Sequence, residues 1–174
     1  MNKSFVRIGL ILLVLSLIFA TTLYLNMEGR LDERIRSQEE MIIFIKVDGE
    51  FIGELSFEDM QQLKSHEFDV IHRGGGRPPE NKSFVGVELE SILEFKEIDL
   101  TNREMVIVKA VDGFSSAFSI DEVKENGRMF IVYKEDGQLL GKRAYRGTGP
   151  YRLVIKDDFF AMRWVRYVME IEVK

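Results

Sequence analysis

The chain contains no cysteine, which removes disulfides, thiolate-held metals and cysteine nucleophiles at once. Histidine is almost as scarce. His66 and His72 are the only two, six residues apart and outside any His-Glu-x-x-His helix pattern, so neither a metal ligand set nor a catalytic residue is expected. A basic excess is also missing: the formal charge is −5 and the pI about 5.2, with Lys and Arg scattered, which argues against a nucleic-acid partner. There is no internal repeat and no low-complexity tract. With 174 residues, 45% apolar and 30% charged, the length suits one ordinary globular domain plus an appendage.

The appendage is the N-terminus. From Ile8 to Leu25 the sequence "IGLILLVLSLIFATTLYL" carries no charge, a length that crosses a hydrocarbon core of about 30 Å as a helix. A cleaved leader needs small residues after a shorter apolar core, and Ala20-Thr21-Thr22 is followed by more apolar residues, so an uncleaved anchor over residues 1–26 is expected. Lys3 and Arg7 on one side oppose Arg30, Arg34 and Arg36 on the other, and that count sets no orientation. The short positive N-terminus before an apolar run has the layout of a signal anchor. The expectation is a single-pass protein of the bacterial cell membrane, its C-terminal domain extracytoplasmic and its membrane contact made by this helix. Residues 27–40, charged on nearly every side with Leu31 and Ile35 as an i, i+4 pair, read as a solvated helical spacer of about 20 Å.

The folded domain is expected over residues 41–174. "MIIFIKVDGEFIGEL" reads as a hairpin around Asp48-Gly49. "SFEDMQQLKS" reads as a helix with Ser56 as its cap and Asp59 three residues on. "EFDVIHR" alternates as a strand, "GVELESILEF" reads as a helix, and "EMVIVKAV" and "FSSAFSI" as strands about Asp112-Gly113. A short helix in "DEVKEN", a strand in "MFIVYK", a turn at Asp136-Gly137 and two closing strands in "YRLVIK" and "RWVRYVMEIEV" complete the chain. Strands dominate and helices fall between them irregularly, which is an α+β, strand-rich pattern rather than a doubly wound one.

Two glycine-bearing basic stretches stand out. "VIHRGGGRPPE" places His72, Arg73 and Arg77 around three glycines, which permit positive φ and let backbone N–H groups converge, while guanidinium forks suit phosphate or carboxylate. It lacks the spacing and the Lys-Ser/Thr ending of a nucleotide P-loop. A plain surface loop broken by Gly and Pro is the competing reading. "KRAYRGTGP", with Arg146, precedes the strand that carries Arg152.

The order "FVGVELESIL", "VIVKAVDGFSSAFSIDEV", "FIVYKEDGQLL" and "GPYRLVIKDDFFAMRWVRYVMEIEV" resembles the oxidoreductase molybdopterin-binding domain of the sulfite oxidase family, in its short stand-alone bacterial form, from about Gly53 to Val173. The resemblance implies a sulfite oxidase-like mixed-sheet fold. In catalytic members the strand matching "FDVIH" ends in a cysteine that ligates molybdenum, and the resemblance puts His72 at or beside that position with Arg73 and Arg77 at later loop positions. Neutral nitrogen does not replace a soft thiolate beside a dithiolene, so no metal and no cofactor is expected, and molybdopterin or another pterin remains the alternative. The resemblance also implies that Arg152 helps hold the cofactor or its surroundings; a structural ion pair competes. Arg163 and Arg166 face either a groove or solvent, and Trp164 reads as core. The expected function is non-catalytic binding of an anionic small molecule or an envelope protein partner through His72, Arg73, Arg77, Arg146, Arg152, Arg163 and Arg166. A pterin-dependent electron-transfer component and a structural envelope component stand as alternatives.

Overall fold

The computed structural model describes residues 3–73, 78–158 and 161–174. Two compact units divide the chain, Met1–Ile35 and Arg36–Lys174. The described part of the first lies within helix α1 (Lys3–Glu39). Its apolar residues from Leu10 to Tyr24 are exposed all round the helix, and the hydroxyls of Ser16, Thr21 and Thr22 donate to carbonyls four residues back, which satisfies polar groups inside an apolar stretch. Among the described residues, no helix is long and apolar enough to cross a membrane.

The second unit holds two sheets. In the first, β1 (Ile43–Val47) and β2 (Glu50–Leu55) form the expected hairpin, with positive φ at both Asp48 and Gly49, the backbone that suits the twist of a two-residue turn. Strands β5 (Met105–Ala110), β6 (Ser115–Ser119) and β11 (Val168–Val173) join them in the order β2-β1-β11-β5-β6. Only β1 and β11 run parallel among these pairs. The second sheet is antiparallel: β10 (Val165–Arg166), β9 (Arg152–Ile155), β7 (Met129–Glu135), β4 (Glu80–Glu88) and β3 (His66–His72) in that order, with β8 (Gln138–Leu139) also on β7. The short helices α2 (Phe57–Gln62), α3 (Leu89–Phe95) and α4 (Ile120–Val123) lie between strands. Ser56 and Asp59 complete a reciprocal capping box on α2, as their spacing predicts, and Ser119 and Glu122 do the same for α4.

Two sequence expectations need correction. The helix expected to begin at Gly86 begins at Leu89, because Gly86–Glu88 belong to β4, which pairs with β3 on one side and β7 on the other. At Gly86 a Cβ would stand 2.5 Å from the Ile131 carbonyl oxygen, so glycine there permits the register shift between Val85 and Gly86 that closes the central pairing. The stretch "VIHRGGGRPPE" thus runs from the end of β3 into the start of β4 in sequence, with His72 opposite Glu80. The second correction concerns the last strand, which divides: β10 pairs with β9, and β11 crosses to the other sheet. The corner is Tyr167, held at φ 57, a left-handed conformation uncommon for a bulky residue. The core fills from both sheets, with Ile43, Ile45, Phe84, Val106, Ile131, Leu153 and Ile171 among its buried members.

Candidate functional site

Arg152 opens β9, opposite Val132 of β7 and Arg166 of β10. Both faces of β9 are covered, and the side chain is only 3% exposed. Its guanidinium lies 5.6 Å from the Phe84 ring centre and 5.0 Å from that of Trp164, contacts that suit a weakly hydrated planar cation. Nη1 is 3.4 Å from Glu135 Oε2. The other Glu135 oxygen accepts a bond from Lys82. Burial pushes the Arg152 pKa down to about 10, with Arg166 adding to the fall while Glu135 and Tyr167 oppose it. Arg152 Nε has no hydrogen-bond partner among the described residues.

Trp164 closes the corner. It is 6% exposed, sits edge-on to Phe84 at 5.9 Å, and its ring centre is 5.5 Å from that of His72. Its Nε1 is likewise buried without a partner among the described residues. Two unpaired buried N–H donors on touching side chains are costly, and both are acceptor-seeking groups.

The strand period of two sets the third wall. Phe68, Val70 and His72 share one face of β3, and the register places Lys82 opposite Val70 and Phe84 opposite Phe68 and Glu135. His72, half-buried at the strand end, has its pKa lowered first by burial and then by Arg152, Lys82 and Arg166, with Glu135 acting the other way. Three cations therefore bear on this corner against one carboxylate already engaged twice.

The structure brings together His72, Arg152 and Arg166 from the sequence candidates, and adds Lys82, Phe84, Glu135 and Trp164. Arg163 is engaged elsewhere: Nη2 pairs with Asp158 at 3.0 Å and Nη1 with Glu122 at 2.8 Å, which holds its pKa above the usual range. Arg146 is exposed at φ 62 after the 3-10 turn Arg143–Tyr145. In the same loop Arg143 lies 5.4 Å over the ring of Tyr167, whose hydroxyl donates to the Gly147 carbonyl. The Arg73 carbonyl accepts from the Ala161 N–H. Arg77 and the three glycines Gly74, Gly75 and Gly76 lie outside the described residues.

No group of three or more metal-ligating side chains occurs among the described residues, and the chain has no thiol. Arg152 Nε and Trp164 Nε1 are donors of the kind an anion accepts from, but nothing here fits the thiolate position of a molybdenum centre.

No family model and no curated protein sequence matches the chain. Among solved structures, the sulfane dehydrogenase SoxCD from Paracoccus pantotrophus matches with a TM-score of 0.62 and 16% identity, over 79% of this chain and 38% of that one. The likeness shows fold: the chain has a distant molybdopterin-binding-like, strand-rich α+β architecture, as its motif order implies. It spans well under half of the matched chain's length.

Proposed function

We propose that this protein is a membrane-anchored, extracytoplasmic binding domain that uses a molybdopterin-binding-like fold without its metal chemistry, and that its ligand is a small anion held at the Arg152–Trp164–His72 corner. The observation that carries the reading is Arg152, a guanidinium buried to 3% exposure with an unpartnered Nε and a single shared carboxylate. A buried cation in that state costs stability, and such a cost is expected where a residue is kept for binding. The anchor rests on the charge-free run Ile8–Leu25.

The pterin alternative has the fold in its favour, since a pterin phosphate is also an anion, but the absent thiol leaves redox chemistry without its protein ligand. Fold alone does not transmit function. Calorimetric titration of the full chain with sulfate tests the reading: Arg152→Gln should weaken binding about tenfold or more, given ~1.5–3 kcal/mol for a hydrogen bond to a charged group. Equal affinity in the wild type and the variant would count against the corner.

A further inference from the structure

We infer that His72 sets which anions the corner accepts and takes up a proton together with an acceptor-only oxyanion. The inference deepens the anion-site reading and rests on it. Arg152 Nε and Trp164 Nε1 can only donate, and both lack partners among the described residues. Glu135 accepts from Arg152 and Lys82. Among these groups only His72 changes character: its neutral ring offers one N–H and one lone pair, its protonated ring two donors.

The charged groups that act on His72 come from four strands. They are Lys82 on β4, Arg152 on β9, Arg166 on β10 and Glu135 on β7, with Glu80 opposite it in register. In the ligand-free protein burial and the three cations lower the pKa of the ring. An anion lodged against Arg152 and Trp164, whose ring contacts His72, offsets those cations and favours the imidazolium. The bound state then holds one more proton than the free state between the two pKa values of His72, so affinity rises as pH falls through that interval. Sulfate, which only accepts, is favoured by the protonated ring; hydrogen phosphate carries its own O–H and can donate to the neutral ring's lone pair, so its binding is retained better at higher pH.

The test is calorimetry of the full chain with sulfate at about pH 5.5 and about pH 8, where sulfate stays a dianion while an ordinary histidine near 6.5 titrates. The wild type should bind sulfate about tenfold tighter at the lower pH, and His72→Gln should lose that dependence. NMR of the His72 ring should show its pKa rising when sulfate is added. A wild-type affinity flat with pH, or a His72 titration that sulfate does not move, overturns the inference, and if Arg152→Gln still weakens binding the anion site itself stands. Failure of the wild type to bind sulfate at either pH overturns the anion site and the inference with it.

Discussion

Arg152 and Glu135 form a long, single-contact ion pair: Nη1 stands 3.4 Å from Oε2, while the other carboxylate oxygen is held by Lys82. The arginine is therefore more a charge kept in place than a brace. Replacing it by methionine, which fills similar volume between Phe84 and Trp164, should change unfolding stability by no more than about 1 kcal/mol or raise it. Glu135→Gln leaves Lys82 and Arg152 without the carboxylate they share and should cost about 3 kcal/mol. Urea unfolding of both variants checks the contrast, and equal losses would mark Arg152 as structural.

The folded state should weaken on acidification in two stages. His72 has a lowered pKa when folded, so the unfolded chain binds the proton first, and stability present in full above about 6.5 is lost as pH falls below it. Glu122 is lowered chiefly by its bond from Arg163, so its contribution is present above the ordinary glutamate value and lost on further acidification. Urea midpoints measured against pH should show both stages, and His72→Gln should remove the upper one.

Much of the fold could be read before the structure because the signals were local. Asp48-Gly49 and Asp136-Gly137 supply the left-handed backbone that tight turns require, and Ser56 with Asp59 declares a helix start. Strand β4 was hidden because its polar half, "ENKS", follows two prolines and its pairing on both sides is distant in sequence. The division at Tyr167 was hidden because a left-handed tyrosine carries no sequence mark.

The site was legible only in part, for the same reason. His72, Arg152 and Arg166 belong to basic or unusual stretches, whereas Lys82, Phe84 and Glu135 acquire their meaning from the order β9-β7-β4-β3. Alternation could not assign Arg152 a face, since both faces of β9 are buried.

Metal content gives a further prediction. After expression in a host that makes the molybdenum cofactor, the full chain should contain no stoichiometric molybdenum by elemental analysis and should not oxidise sulfite with an artificial acceptor, because the chain has no thiol to ligate the metal. Stoichiometric metal would restore the oxidoreductase reading.

Topology can be checked separately. Protease added to intact protoplasts should remove the region beyond Met27 and leave the segment containing Ile8–Leu25 in the membrane. Protection of the whole chain would place the domain on the cytoplasmic side.

The position of a bound anion tests the central claim most directly. Crystals of the protein soaked in selenate, an oxyanion visible by its anomalous scattering, should show one strong peak within hydrogen-bond reach of Arg152 Nε and Trp164 Nε1, the two buried donors without partners among the described residues. Crystals of Arg152→Gln should lose that peak. A wild-type peak elsewhere, no peak at all, or a corner peak that survives the substitution would contradict the account.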